Sequence, residues 1–324
     1  MRTVAALGED GVIQRFRRIR TPSRGVRLGI GDDAAVLQWQ PGPGQAGRGT
    51  YLLLASDMLV ESVHFDRRAV PARWIGWKAL ACNVSDVAAM GGVPRFAVVS
   101  IGLPSRTPAR FVEELAGGLA SCARRYGVAL VGGDTVRAPC VVVDVAIVGE
   151  VAARELVTRS GARTGDRLFV TGSLGGSSVG QRHARFIPRL REARWLVRHL
   201  PIHAMIDLSD GLACDLWHLA RASRVTLRVH ESAIPVSASA RRLAASEPGP
   251  ARARKALWHA LMDGEDFELL FAVPDAACVR VPRALGRISI RPIGSVVGRG
   301  ARVEVLGAGG RVRMVTPEGF RHFS

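Results

Sequence analysis

Aspartates that follow short apolar runs are the residues whose type and spacing could do chemistry in this sequence. A carboxylate near the buried end of a strand needs a partner, because burial of an unpaired charge is costly. An arginine, a backbone N–H group or a metal ion could be that partner. The aspartates stand beside Gly, Ser or Thr in five separate segments, and they are Asp32, Asp33, Asp57, Asp86, Asp134, Asp207 and Asp210.

Each of these segments also has a simpler interpretation when it is taken alone. Ser209 and Asp210 could cap the helix that follows them, and Asp134 with Thr135 could form an ordinary turn. Asp57 could pair with an arginine. The joint occurrence favours a shared acidic cluster, and an all-oxygen ligand set favours Mg²⁺ over Zn²⁺. Mg²⁺ held by carboxylates and substrate phosphates is the usual arrangement in nucleotide chemistry.

The common nucleotide motifs are missing from the sequence. Lys78 and Lys255 are its two lysines and neither follows a glycine, so there is no Gly-x-x-x-x-Gly-Lys-Ser/Thr loop. His-Arg-Asp and Asp-Phe-Gly, which mark protein kinases, do not occur either. The pair Gly29-Ile-Gly31 lacks the third glycine of a dinucleotide fingerprint. The missing motifs therefore exclude a P-loop enzyme and a protein kinase as the protein that carries this acidic site.

The net charge of +17 raises the alternative of nucleic-acid binding. All but two of the 45 basic residues are arginines, and they are scattered from Arg2 to Arg321 without a basic tail or a zinc-finger spacing. This pattern indicates a compositional bias more than a phosphate-binding surface, so nucleic-acid binding stays the less favoured class of function.

Cysteine usage and hydropathy favour a cytoplasmic, soluble protein. The cysteines are odd in number, lack a Cys-x-x-Cys pair, and are Cys82, Cys122, Cys140, Cys214 and Cys278. That pattern is typical of reduced thiols in the cytoplasm. The first ten residues lack the apolar core of a signal peptide, and no run approaches the roughly 20 apolar residues of a membrane span.

Hydrophobic periodicity predicts an α/β protein in which helices and strands mix in both halves. The pattern predicts helices over residues 11–20, 74–90, 108–126, 211–221 and 251–261, and strands over 34–39, 51–55, 96–103, 128–131, 140–151, 167–171, 205–208 and 267–273. A Pro/Gly-rich loop covers residues 40–49, and a polar stretch at 159–166 begins the second half. The length of 324 residues predicts two domains with a boundary near residues 150–160.

These motifs, in this order, resemble the thiamine-monophosphate kinases, a family within the superfamily of aminoimidazole ribonucleotide synthetase and selenophosphate synthetase. The resemblance runs nearly from end to end. It rests on Gly29-Ile-Gly-Asp-Asp33, Ser56-Asp57 with His64-Phe65, Lys78-Ala-Leu-Ala-Cys-Asn-Val-Ser-Asp-Val-Ala-Ala-Met-Gly91, Gly132-Gly-Asp-Thr135, Thr158-Arg-Ser-Gly-Ala162, Ile206-Asp-Leu-Ser-Asp-Gly211, Gly264-Glu-Asp-Phe-Glu268 and Gly319-Phe-Arg-His-Phe323.

The resemblance implies a two-domain fold like that of aminoimidazole ribonucleotide synthetase, in which each domain is a mixed β-sheet flanked by helices. Residues 1–152 would bind ATP and Mg²⁺ and form a homodimer, and residues 153–324 would complete the ATP and substrate site. The implied reaction is ATP- and Mg²⁺-dependent phosphorylation of thiamine monophosphate to thiamine diphosphate, the last step of thiamine diphosphate biosynthesis. Several Mg²⁺ ions would take part, with ATP as co-substrate.

The resemblance also implies roles for single residues. The metal ligands would be Asp33, Ser56, Asp57, Asp86, Asp134, Asp207 and Asp210, of which Asp57, Asp134 and Asp210 are the predicted catalytic residues. The predicted ATP contacts are Tyr126, Gly133, Asp134, Arg159 and Ser209. The predicted contacts to the thiamine end are His64, Glu265 and Phe320.

The sequence departs from the family pattern at two places. Ala55 stands where family members often carry a hydroxyl, and the segment around residues 180–189 is shorter than the pattern. Two alternatives stay open. Another enzyme of the superfamily would form aminoimidazole ribonucleotide or selenophosphate, although the first cysteine here, Cys82, lies inside a predicted helix and not in a glycine-rich N-terminal segment. A nucleic-acid-binding protein is the alternative from a different class.

Overall fold

The computed structural model describes residues 3–17, 25–38 and 49–316. The first half of the chain forms a six-stranded sheet in the order β1-β2-β3-β6-β4-β5. All neighbouring strands are antiparallel except β4 and β5, which are parallel. The strands are β1 (Val26–Leu28), β2 (Ala35–Gln38), β3 (Thr50–Val60), β4 (Val93–Leu103), β5 (Ala129–Arg137) and β6 (Val142–Ala152).

Two long helices, α2 (Ala72–Ala89) and α3 (Ala109–Tyr126), pack against each other beside this sheet. Glycine lets their backbones meet, because a Cβ atom at Gly118 would lie 1.8 Å from the Arg73 carbonyl oxygen. Helix α1 (Val4–Phe16) precedes the sheet and is interrupted at Gly8. Most residues of α2 are buried, including the polar side chains of Lys78, Asn83 and Ser85. The centre of α2 is therefore where buried polar groups meet the sheet.

The second half forms a separate sheet in the order β14-β13-β9-β12-β7-β10-β8, with β11 paired to β12. Only the β13–β9 pair is parallel in this described sheet. The strands are β7 (Arg167–Thr171), β8 (Ala204–Asp207), β9 (Val225–His230), β10 (Leu269–Val273), β11 (Ala284–Leu285), β12 (Ile288–Arg299), β13 (Arg302–Leu306) and β14 (Val312–Met314).

The helices of the second half flank this sheet, and they are α4 (Leu190–His199), α5 (Leu212–Ser223), α6 (Ala238–Leu243) and α7 (Gly249–Met262). A hydrophobic cluster joins the two halves: Ala88 and Ala89 of α2 pack with Leu196 of α4 and Phe271 of β10. The end of α2 thus contacts the second sheet, which places the polar centre of α2 close to the carboxyl end of β8.

The structure confirms the α/β class with two mixed sheets flanked by helices, while the division at residues 152 and 153 stays a prediction. Two expectations about the aspartates were wrong. Asp57 and Asp134 do not follow strands but lie inside β3 and β5, because both strands continue past the polar residues. The predicted helix at 11–20 begins earlier, at Val4, and ends at Phe16. Among the described helices, none has the length and apolar character that a membrane crossing requires.

Candidate active site

Three aspartates from distant parts of the chain meet between the two sheets. Carboxylate oxygens of Asp33, Asp86 and Asp207 all lie within 4.8 Å of one another. Asp33 precedes β2, Asp86 belongs to the last turns of α2, and Asp207 ends β8. The Ser85 hydroxyl donates to Asp207 Oδ2 at 2.6 Å. We call these three residues, with Asp57 and Asp210 beside them, the acidic cluster.

Burial, followed by repulsion between carboxylates, raises the pKa values of Asp57, Asp86 and Asp207 in the acidic cluster. The pKa of Asp57 is raised to about 6, first by burial and then by the charges of Asp144, Asp210 and Asp33, although a hydrogen bond with Asp86 opposes the shift. Burial, followed by the Asp33 charge, raises the pKa of Asp207 to about 8. Such carboxylates gain stability from a nearby cation, because the cation offsets both the desolvation and the repulsion.

Arg159 supplies one positive charge to this cluster. Its guanidinium donates to Asp33 Oδ1 at 2.6 and 3.2 Å, and its backbone N–H donates to Asp32 Oδ1 at 3.2 Å and Oδ2 at 3.1 Å. These carboxylates raise the pKa of Arg159, against the effect of its burial. Burial, followed by the Asp33 charge, raises the pKa of Asp32 to about 7. Arg159 therefore binds two adjacent carboxylates, Asp32 and Asp33, and the cluster contains several more carboxylates.

The carboxylate oxygens of the cluster that have no hydrogen-bond partner are suited to binding a metal ion. Within the described residues, Asp33 Oδ2 is buried and has no hydrogen-bond partner. Asp215, on the first turn of α5, also has a buried Oδ2 without a partner, and burial and the charges of Asp210 and Asp207 raise its pKa well above the usual range. Oxygen-only groups that repel one another suit a hard divalent cation.

Two predicted metal ligands lie outside the acidic cluster. Ser56 precedes Asp57 on β3 and lines the same cavity as Asp57, and its hydroxyl donates to Asp144 Oδ1 at 3.0 Å. Asp134 lies on β5, three strands from β3 and roughly 14 Å away at the usual strand spacing. Its Oδ1 accepts the Thr135 N–H at 2.8 Å. Asp134 is not among the residues that line the cavity, and its role as a metal ligand stays a prediction.

A cavity of about 600 Å³ runs from the acidic cluster to two predicted substrate residues. Asp57, Asp86 and Asp210 line one part of it, and His64 and Glu265 line another. The Val60 N–H donates to His64 Nδ1 at 2.9 Å, so the proton of a neutral His64 ring lies on Nε2. Predicted metal ligands and predicted substrate contacts thus line one cavity.

Lys78 connects the two predicted substrate residues from behind the cavity wall. Its side chain is 1% exposed, and its ammonium donates to the His64 carbonyl oxygen at 2.9 Å and pairs with Glu265 Oε1. The Glu265 side chain remains 31% exposed, so it still faces the cavity. Glu265 itself has a positive φ of 53° and donates its N–H to the Ser209 carbonyl at 2.7 Å.

The other carboxylates of residues 263–268 have structural partners. Asp266 accepts the Gly175 N–H at 2.8 and 3.0 Å and pairs with Arg182. Glu268 forms a bidentate pair with Arg189, whose Nε lies 2.6 Å from Glu268 Oε2. Both arginines lie in the segment of residues 180–189. That segment therefore holds the acidic residues beside the cavity in place.

The remaining predicted ATP contacts have different environments. Ser209 lines the cavity. Gly133 is required by packing, because a Cβ atom there would lie 1.8 Å from the Val99 carbonyl oxygen. Tyr126 ends α3 and packs on Trp77 with ring centroids 6.2 Å apart, and it is not among the residues that line the cavity. Phe320 lies outside the described residues.

Sequence reasoning did not assign three residues that the structure places at the site, namely Lys78, Asp144 and Asp215. Lys78 could have been noticed, because it is one of only two lysines in a chain that otherwise uses arginine. Asp144 interrupts the apolar run of β6, which is a weaker signal. Asp215 has the spacing of an ordinary helix residue, so the sequence alone carried no indication of its burial.

The chain is similar to known proteins over most of its length. The model of the family "AIR synthase related protein, N-terminal domain" matches residues 31–151. A thiamine-monophosphate kinase of Rhodopirellula baltica is 37% identical over 301 residues, which is 92% of each chain. That of Bacillus subtilis is 32% identical and covers 92% of this chain and 94% of its own. A solved structure described as AaThiL complexed with AMPPCP and TMP has a TM-score of 0.81, 31% identity and 99% coverage of both chains.

Proposed function

Because the chain belongs to the thiamine-monophosphate kinase family, we propose that it transfers the γ-phosphoryl group of ATP to thiamine monophosphate, with Mg²⁺, to give thiamine diphosphate. One observation carries this proposal: Asp57, Asp86 and Asp210 of the acidic cluster line the same cavity as His64 and Glu265. A substrate with a phosphate at one end and a nitrogen-rich cation at the other would span these two groups.

Each part of the cavity has its own task in this proposal. Asp33, Asp57, Asp86, Asp207 and Asp210 would hold Mg²⁺, which would supply positive charge to neutralise the phosphates. The buried, unpartnered Oδ2 of Asp33 supports this role. No side chain needs to act as a nucleophile, because the acceptor phosphate is already ionised. Ser56 and Asp134 stay predicted metal ligands that rest on the family resemblance.

The thiamine end is recognised by hydrogen bonding and charge. His64 carries its proton on Nε2 when neutral and can donate it to an acceptor atom of the substrate. Glu265 presents a carboxylate to a cationic substrate, while Lys78 holds one of its oxygens. Phe320 stays a prediction for stacking on the substrate ring.

The function is tested by product identification. The purified chain is incubated with ATP, Mg²⁺ and either thiamine monophosphate or thiamine, and the products are analysed by mass spectrometry. We expect thiamine diphosphate and ADP in equal amounts from the monophosphate, and no product from thiamine. Phosphorylation of thiamine, or ATP hydrolysis without transfer to the monophosphate, would contradict the proposal.

A homodimer is part of this proposal. Strand β5 is exposed along its whole length although it carries apolar residues, and Val131 is 61% exposed. Met58 on β3 and Phe96 on β4 add exposed apolar area of the same sheet. A monomer rarely leaves such a patch and an open strand edge in water, so a second copy of the chain is the occupant we expect. We also propose that the reaction takes place in the cytoplasm, where ATP is available.

A further inference from the structure

We propose that Asp210, Cys214 and His218 form a binding site for Zn²⁺ at the edge of the acidic cluster, and that Zn²⁺ bound there inhibits the kinase. The donor atoms of these residues lie within 4.8 Å of one another. Cys214 Sγ is 3.4 Å from His218 Nε2, and the same Nε2 is 3.6 Å from Asp210 Oδ2. We call these residues the three-donor site.

The distances match those between ligands of a tetrahedral zinc ion. Zinc lies about 2.3 Å from sulfur and about 2.0 Å from nitrogen or oxygen, so tetrahedral ligand atoms lie roughly 3.3–3.6 Å apart. The two printed distances in the three-donor site are 3.4 and 3.6 Å. These two pairs of donors therefore need little movement to bind the ion, and all three donor atoms lie within 4.8 Å of one another.

Helix α5 sets this arrangement. Cys214 and His218 are four residues apart within Leu212–Ser223 and so lie on one helix face. Asp210 precedes the helix, and Gly211 with φ 107° turns the chain between them. The spacing thus results from a helix that is anchored by the second hydrophobic core and does not depend on a metal.

A catalytic cysteine–histidine–aspartate relay is a different interpretation, and the geometry argues against it. Such a relay uses one ring nitrogen toward the cysteine and the other toward the carboxylate. Here both contacts converge on Nε2 of His218. Contact of both partners with one ring nitrogen fits a shared metal ion better than a proton relay.

The donor set separates this site from the rest of the acidic cluster. A thiolate, an imidazole and one carboxylate favour Zn²⁺, whereas oxygen-only ligands favour Mg²⁺. Asp210 belongs to both sets and also lines the cavity. The His218 and Asp210 side chains are 25% and 41% exposed, so an ion can enter from solvent and keep a water as fourth ligand.

Zinc binding and inhibition by zinc depend on different observations. Zinc binding rests on the three donors alone. Inhibition also rests on the proposed function, because it requires that Asp210 takes part in Mg²⁺ binding. The experiments therefore measure binding and inhibition separately.

Binding is measured by competition with a chromophoric zinc chelator and by Co²⁺ substitution, in wild type, Cys214→Ser and His218→Gln. We expect at least tenfold weaker Zn²⁺ binding in both variants, and a thiolate-to-cobalt absorption band in wild type that Cys214→Ser removes. The control is Cys278→Ser, which changes a similarly half-buried cysteine elsewhere. Equal zinc affinity of wild type and Cys214→Ser, or no thiolate band, would overturn the site.

Inhibition is measured as thiamine monophosphate kinase activity at fixed Mg²⁺ with increasing free Zn²⁺. We expect wild type and Cys278→Ser to lose activity at a free Zn²⁺ concentration at least tenfold below that needed for Cys214→Ser. Without added Zn²⁺, Cys214→Ser keeps the wild-type rate, because the thiol has no role in phosphoryl transfer. Equal inhibition of wild type and Cys214→Ser, despite zinc binding through Cys214, would overturn the inhibitory half. If the chain had no kinase activity, its zinc binding could still be measured. Failure of the proposed function would therefore be distinguished from failure of the zinc site.

Discussion

Asp57 shows how the position of one residue gives it a role. The alternation of β3 turns Asp57 away from solvent and toward Asp86, and burial raises its pKa to about 6. We expect Asp57→Asn to lower kcat/KM by at least about 100-fold, because loss of a metal-binding charge removes several kcal/mol of transition-state stabilisation. Steady-state kinetics across a Mg²⁺ titration would measure this. Asp275→Asn, an exposed acid of the second half, is the control. Full turnover by Asp57→Asn would contradict the role of the cluster.

Lys78 illustrates a residue that acts through another. We expect Lys78→Met to raise KM for thiamine monophosphate roughly tenfold and to leave KM for ATP unchanged, because Glu265 loses its buried partner. Glu265→Gln should raise the same KM, and Lys78→Met should add little in that background. Lys255→Met, which changes the exposed lysine over Trp258, is the control. Fully additive effects of Lys78→Met and Glu265→Gln would show that Lys78 does not act through Glu265.

At the scale of elements, the parallel β4–β5 pair depends on a glycine. A Cβ atom at Gly133 would lie 1.8 Å from Val99 O, so Gly133→Ala must push the two strands apart. We expect it to lower the free energy of unfolding by about 2 kcal/mol or more. Gly117→Ala is the matched control, because Gly117 lies in α3 with no atom within 4 Å of its Cβ position, and alanine there should stabilise the helix slightly. Urea unfolding measures both, and similar values for the two variants would contradict the clash.

The elements also show what the sequence could and could not predict. Helices α2 and α3 and strand β7 were predicted closely, because their apolar periodicity and flanking residues are strong. The four acids of residues 263–268 look alike in sequence, yet their partners differ. Asp263 and Glu265 line the cavity and pair with His259 and Lys78, while Asp266 and Glu268 bind arginines. Long-range pairing decides those roles, and no local pattern encodes a partner about 80 residues away.

At the scale of the whole molecule, the cluster couples stability to pH and metal. Asp207 has a pKa of about 8 in the folded chain against about 3.9 when unfolded, so the folded state binds more protons between these values. Without metal, its contribution to stability is therefore present at low pH and lost as pH rises toward 8. We expect Mg²⁺ to raise Tm more at pH 8 than at pH 5.5. Thermal melts with and without Mg²⁺ test this, and Asp207→Asn should reduce the difference. An equal Mg²⁺ effect at both pH values would contradict it.

The exposed sheet of the first half predicts the assembly state. We expect a particle of twice the 34.7 kDa chain mass in light scattering at micromolar concentration. Val131→Arg should shift it toward the monomer, since Val131 is 61% exposed on the edge strand and a charge there would be buried in the dimer. Val279→Arg, at a position that is 92% exposed in the second half, should leave the mass unchanged. A wild-type monomer would contradict the dimer.

The burial of Lys78 has a practical consequence for labelling this protein. The chain has one other lysine, Lys255, which is exposed on α7, whereas the Lys78 ammonium is enclosed and paired. Amine-reactive dyes and crosslinkers should therefore modify Lys255 and the α-amino group while sparing Lys78. A fluorophore on Lys255 would lie on α7, outside the cavity, so that energy transfer to a fluorescent nucleotide could follow ligand binding.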